Sequence, residues 1–251
     1  MCGRVIVKTT IAGLVEAFAG VAPPAPEEGL AAKPPSWNGA PRLTYPLIVW
    51  QRDLRGPVFV AGNWGFVPSW QRDPAGGRRP INARSETVAS APMFREAWRG
   101  RRALMPVDGF FEWRAIRGVK QPYAVAMAAG EPFALAAVWE EWHDPKLGAR
   151  VRTFAVLTCP ANAMMAEIHD RMPVIIAPED YERWLSDTPD PRDLLRPYPS
   201  AAMRMWPVST RVNSVRNDGE DLTDPVPDPL TMPEGNEPPE DGEPPAQGSL
   251  F

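Results

Sequence analysis

Cysteine is scarce in this chain, two in 251 residues, and one of the two stands at position 2 in Met-Cys-Gly-Arg. If Met1 is removed, Cys2 carries a free α-amine and a thiol on adjacent carbons. The amine has an ordinary pKa of about 7.7–8.0 and the thiol of about 8.5, so both are partly nucleophilic near neutral pH. Such a 1,2-aminothiol traps aldehydes. The amine condenses to an imine, the thiol closes onto the imine carbon, and the five-membered thiazolidine outlasts a simple Schiff base. Gly3 has no side chain, so another backbone or a substrate can approach Cys2 closely. The competing reading is an incidental cysteine buried at the start of a strand. Cys2 and Cys159 lack a CxxC spacing or an HxxxH partner, so no zinc site is expected. Two cysteines build no disulfide framework, which fits a reducing compartment.

With only His143 and His169 in the chain, any histidine chemistry falls on one of them. His143 sits in a polar turn-like stretch, EEWHDPKLG. His169, in EIHDRMPVII, lies where a short helix ends and a strand begins, a junction that often carries binding residues; a hydrogen-bonded structural histidine is the alternative. PINARSETV places Asn82, Arg84 and Glu86 at alternate positions, on one face if extended. PVDGFFEWR sets Glu112 between Phe111 and Trp113. A carboxylate held among aromatics can serve as a general acid or base; one pointing outward from an alternating strand cannot.

These residues need elements to hold them. GRVIVKT, LTYPLIVWQ, GPVFVAGNWGF, RALMPVDGFFEWR, RTFAVLTC, MPVII and WPVSTRVN read as strands, and QPYAVAMAAGEPFALAAVW as a hairpin around Ala-Gly-Glu. Short helices are expected at TIAGLVEAFAG with a Thr cap, SAPMFREAWRG with a Ser cap and Gly stop, NAMMAEIH, and PEDYERWLSD with Pro at its start. Many strands with scattered short helices predict an α+β single domain over residues 2–216. Its β core should be largely antiparallel and barrel-like, with the helices peripheral.

Charge divides the chain. Residues 217–251 hold ten of the 31 acidic residues and none of the 27 Lys and Arg, so the tail is −10 and the body about +6. The basic body suits a polyanionic partner. Of its cations 23 are Arg, suited to bidentate phosphate contacts, although a genome rich in Arg codons gives the same count. The tail, rich in Pro, Glu, Asp and Gly, is expected to be disordered. No stretch approaches the ~20 apolar residues of a membrane span, and no signal peptide is read at the N-terminus. A cytoplasmic, nucleoid-associated monomer is expected.

Taken in order, MCGR, NWGFVPSW, INARSETV, RRALMPVDGFFEW, KQPYA, AAVWEEW, IHDRMPVII and PVSTRVN resemble the SRAP family, the SOS-response-associated peptidase domain, across residues 2–216. The resemblance implies loss of Met1, by self-cleavage or by an aminopeptidase, and binding of single-stranded DNA that carries an abasic site. It further implies capture of the ring-opened aldehyde by Cys2 as a thiazolidine crosslink, and it calls for no cofactor. The family's catalytic Cys, Asn, Glu and His fall on Cys2, Asn82, Glu112 and His169. Arg4, Arg84 and Arg171 are candidates for phosphate contacts. Trp64 and Trp70 are candidates for stacking on bases, with core packing as the alternative. Asn38 and Pro41 match the family's Asn-x-Ala-Pro stretch near the DNA groove, with Trp37 where the pattern usually has tyrosine. An N-terminal-thiol peptidase or amidohydrolase acting in trans, and a non-covalent single-strand-binding adaptor, are the other functions weighed. Finally, Gln247, Leu250 and Phe251 at the chain's end resemble peptides that dock into the bacterial sliding clamp. A tail folded over the basic groove is the rival use of those residues.

Overall fold

The computed structural model describes residues 2–71, 77–116, 118–145, 148–186 and 190–228. Its strands are β1 (Val5–Val7), β2 (Ser36–Gly39), β3 (Thr44–Gln51), β4 (Gly56–Trp64), β5 (Asn82–Arg84), β6 (Arg102–Val107), β7 (Gly109–Ile116), β8 (Val119–Met127), β9 (Phe133–Asp144), β10 (Ala149–Pro160), β11 (Arg171–Pro173), β12 (Ile175–Ile176) and β13 (Met203–Pro207). Three short α-helices lie outside them: α1 (Ile11–Ala17), α2 (Arg95–Gly100) and α3 (Tyr181–Leu185).

β10, β4, β3, β6 and β9 pair in that order, and β9 pairs again with β10, so five strands close into a barrel. Only the β4–β10 seam within this ring is parallel. Closure removes the sheet edges that would otherwise seek partners. β6 is buried along its whole length, and its near-continuous apolar run is what a strand covered on both faces requires. A second sheet, in the order β13-β8-β7-β1-β2, packs against the barrel. The α+β, barrel-centred expectation therefore holds.

Three local expectations are corrected. RALMPVDGFFEWR is not one strand. It breaks at Asp108, whose carboxylate accepts hydrogen bonds from the N–H groups of Lys8 (2.7 Å) and Thr9 (2.9 Å) and from the Thr9 hydroxyl (2.5 Å). β6 then belongs to the barrel and β7 to the second sheet. Gly109 is needed at the crossing, because a Cβ there would lie 2.7 Å from the Val125 carbonyl oxygen. The Ala-Gly-Glu turn makes no hairpin either: β8 pairs with β7 and β13 while β9 pairs within the barrel. Apolar alternation on both sides looks the same whether the strands pair or part. α2 starts at Arg95 without the expected Ser cap, its N-cap Phe94 offering no side-chain acceptor.

The folded body also extends past residue 216. Asp218 accepts from the backbone N–H of Trp37 (2.6 Å) and Asn38 (3.0 Å), and the Trp206 indole donates to the Thr223 carbonyl (2.8 Å). Residues 217–228 thus strap across β2 and β13, contrary to the expected disorder there. The rest of the tail, including Gln247, Leu250 and Phe251, lies outside the described residues. Among the described residues no helix is long and apolar enough to cross a membrane.

Candidate functional site

Cys2 enters the second sheet just ahead of β1. Val5 pairs with Phe110 and Ile6 with Gly109, so continuing the antiparallel register sets Gly3 opposite Glu112. Alternation along β7 sends Phe110 and Glu112 to one face, Phe111 and Trp113 to the other. Phe110 and Cys2 belong to the main core, whereas Phe111 and Trp113 pack in a small separate cluster with Val208 and Val212. Glu112 is 2% exposed, so it points inward, toward Cys2. Burial pushes the Cys2 thiol well above the ordinary thiol range, and the Glu112 carboxylate pushes it the same way; a hydrogen bond from the Arg4 N–H opposes them. With Met1 attached, the resting sulfur is therefore a thiol.

Asn82 completes the cluster. Its Nδ2 donates to the Cys2 carbonyl at 2.8 Å, and its Oδ1 is buried with no hydrogen-bond partner among the described residues. β5, which carries it, runs parallel to β10, Asn82 opposite Val156. The segment before it is pinned by the Trp64 indole, which donates to the Ile81 carbonyl (2.9 Å), and by the Phe66 N–H to Pro80 (2.9 Å).

His169 sits on the β10–β11 connection. Its Nδ1 accepts from the Arg171 backbone N–H at 2.9 Å. A backbone N–H can only donate, so the neutral ring carries its proton on Nε2. The Asp170 carboxylate lies equally close to Nδ1 but is 87% exposed and free to turn to water. The Arg171 guanidinium in turn grips Glu86, four residues beyond Asn82, in two bonds of 2.7 and 2.9 Å. This fork holds the Glu86 carboxyl down to about 2.

The same geometry sorts the expected DNA contacts. Trp64 is corrected: it is fully buried, edge-on to Tyr45 and stacked with Phe154, with no face to offer a base. Trp70 is 65% exposed and offers one. Asn38 is buried. Its amide donates to the carbonyls of Val212, Ser214 and Asn217 and accepts from Arg4, so it locks the chain's C-terminal strap. Arg4 is engaged there as well, donating to Val212 (2.7 Å) beneath a cation–π contact with Trp113. Arg171 holds the half-exposed Glu86 in this structure. Arg84 is exposed and Pro41 half-buried at the surface. Sequence reading missed Asp108 and Asp218, which set the β1 and β2 ends. Asp108-Gly109 carried a turn signal inside the apolar run; Asp218 carried none.

The family model for SOS response associated peptidase (SRAP) matches residues 1–215. The chain belongs to the SRAP family. It is 33% identical over 227 residues to the Bacillus subtilis abasic site processing protein YoqW, covering 88% of this chain and 98% of that one. The Escherichia coli abasic site processing protein YedK is 32% identical over 198 residues, covering 76% and 84%. A crystal structure from Bacteroides thetaiotaomicron shares the fold, with a TM-score of 0.80 at 23% identity, over 90% of this chain and all of that one. The SRAP match stops at 215, so the strap of residues 217–228 lies beyond it although it packs on the same body.

Cys159, on the β10 flank of the SRAP barrel, is buried and its thiol is pushed up to about 12, chiefly by burial. Its folded pKa lies above the unfolded one. Its stabilising contribution is therefore complete below about pH 8.5 and is lost as pH rises toward 12, at about 1.4 kcal/mol per unit. Urea midpoints between pH 8 and 10.5 should fall less steeply in Cys159→Ala than in wild type; equal slopes would remove this thiol from the alkaline loss.

Proposed function

We propose that this protein recognises abasic sites in single-stranded DNA and captures the ring-opened aldehyde through Cys2, shielding the lesion as a covalent adduct. The observation that carries this reading is the cluster of Cys2, Asn82 and Glu112: an aminothiol residue, an amide bonded to its own carbonyl, and a buried carboxylate. The names of the relatives at 32–34% identity, abasic site processing proteins, support the substrate class.

Met1 must leave first. The Cys2 sulfur can reach the Met1 carbonyl through a five-membered ring; acyl transfer from nitrogen to sulfur, then hydrolysis of the thioester, frees methionine, the α-amine and the thiol. Capture follows. A proton delivered to the sugar ring oxygen opens it to the aldehyde. The amine adds to the carbonyl carbon, the hydroxyl leaves as water, and the sulfur adds to the resulting imine carbon while its proton passes to nitrogen. One water is lost overall. Glu112 is the group that gives and takes these protons, worth about 10²–10⁴-fold in rate for a positioned acid–base residue. The orphaned Asn82 Oδ1 accepts from the new ammonium or a sugar hydroxyl without competing as a base. His169, proton on Nε2, donates to the deoxyribose oxygen.

An oligonucleotide with one abasic site, incubated with protein and run on a denaturing gel, tests this. Wild type is expected to give a shifted band and Cys2→Ala none, with binding of undamaged strand retained. No band from wild type, once intact mass shows Met1 gone, would sink the reading in favour of a thiol peptidase or an adaptor.

A further inference from the structure

Most arginines of this fold with a close partner are tied to carboxylates: Arg101 to Glu140, Arg152 to Glu28, Arg171 to Glu86, Arg183 to Asp193, Arg211 to Asp221. Arg42 and Arg79 are not, although each is held in place. Arg42 adopts φ 74°, a left-handed backbone that a side-chain-bearing residue enters only at a cost. Its N–H bonds the Trp64 carbonyl (2.8 Å), and its own carbonyl accepts from Asn63 (3.3 Å). Its side chain packs against Gly65, where a Cβ would stand 3.1 Å from a terminal guanidinium nitrogen. Arg79 lies over the Trp142 ring at 5.7 Å, and that indole donates to the Gln71 carbonyl at 2.6 Å, next to exposed Trp70. Gly65, beneath Arg42, precedes Phe66, whose N–H bonds the carbonyl of Pro80, the residue after Arg79 (2.9 Å), so the two arginines project from hydrogen-bonded neighbouring segments; burial, then the charge of Arg79, lowers the proton affinity of Arg42. Two like charges brought together, with no carboxylate between them among the described residues, describe a site waiting for an anion.

We propose that Arg42 and Arg79 form a shared seat for one backbone phosphate of single-stranded DNA, with Trp70 as the adjoining base platform. The proposal rests on the reading that this protein binds such strands, and it adds a grip outside the Cys2 cluster. Arg79 stands three residues before Asn82, at most about 10 Å along the chain, so the phosphate it holds lies close to the lesion rather than on a remote face. Positive φ at Arg42 is then strain retained for binding. Guanidinium forks suit the phosphate, and the Trp142 face keeps one of them oriented before the strand arrives.

Binding of an undamaged labelled oligothymidylate, titrated over salt in the Cys2→Ala background, tests the seat without crosslinking. Arg42→Gln and Arg79→Gln are each expected to weaken binding on the order of three- to tenfold and to lower the log–log salt slope by about 0.7, the loss of one phosphate. The double variant should lose no more than that, because both residues hold the same group. Arg42→Gly should bind as weakly as Arg42→Gln yet melt no lower than wild type, since glycine accepts the left-handed backbone. Unchanged affinity and slope in both single variants, while wild-type protein still crosslinks an abasic strand, would overturn the seat alone. A double loss near 1.4 in slope would show two separate contacts and overturn the sharing. Absence of strand binding by every form would take down the functional reading and the seat together.

Discussion

Glu112→Gln is expected to slow capture of an abasic aldehyde by about 10²–10⁴-fold while leaving affinity for undamaged single-stranded DNA within about twofold. The two halves of this expectation come from one fact: Glu112 is buried on the core face of β7, where it meets Cys2 and does not meet solvent. It has no exposed charge with which to repel or attract a strand. Glutamine keeps the shape and removes the ability to take up and release a proton.

The size of the loss also discriminates between two things the carboxylate does. As a charge, Glu112 helps to hold the Cys2 proton on, keeping the sulfur a thiol. If that were its whole effect, glutamine would lower the thiol's pKa, enrich thiolate and speed ring closure. As a proton shuttle it opens the sugar and expels water, and glutamine must slow both steps. Single-turnover gels from pH 6 to 9 separate the cases. A large loss at every pH is the shuttle. A variant equal to or faster than wild type would assign Glu112 to electrostatic restraint of the thiol and leave the proton transfers to His169 or water.

The sequence carried the chemistry of this site better than its scaffolding. Cys2, Asn82 and Glu112 were singled out by residue type and local pattern, and the fold brings those three together by strand register. Local pattern could not say which way Glu112 faces; only the pairing of β1 with β7 decides that, and pairing is a long-range property. Tryptophan exposed the same limit. Trp64 and Trp70 stand six residues apart in similar surroundings, yet one is a core ring that pins Ile81 and the other is open to solvent. An isolated indole in sequence is compatible with either. Arg171 and Asn38 were singled out as DNA contacts by residue type, and the fold also gives each an internal partner. Their partners, Glu86 at 85 positions and Val212 at 174 positions away, are visible only once the chain is folded. The closed barrel itself hangs on the return of β9 to β10, whereas the apparent hairpin at Ala-Gly-Glu shows how alternation alone mistakes succession for pairing.

Asp108→Ala should be the most damaging single change outside the reacting residues, lowering stability by about 3 kcal/mol and Tm by about 6–12 °C. The carboxylate is 7% exposed and accepts three hydrogen bonds from the two residues that follow β1, two of them from main-chain N–H groups. Alanine takes away the acceptor of all three donors, at about 1–3 kcal/mol for each one left unpaired. Asparagine can keep both main-chain N–H bonds on its oxygen and donate its amide to the Thr9 hydroxyl, so Asp108→Asn should recover most of the loss. The functional consequence follows from where the anchor lies. Asp108 clamps the far end of β1, Ile6 and Val5 pair with Gly109 and Phe110 beside it, and Cys2 stands three residues ahead of that short strand, bonded to Asn82. A slackened β1 widens the spread of Cys2 positions, and reactions between placed groups lose rate steeply with displacement, up to about 10²-fold for 1 Å. Capture by Asp108→Ala, measured well below its Tm so that the protein is fully folded, is therefore expected to be at least about tenfold slower with affinity for undamaged strand unchanged. A variant that melts early but captures at the wild-type rate would show that strand pairing with β7 holds Cys2 unaided and that Asp108 serves stability alone.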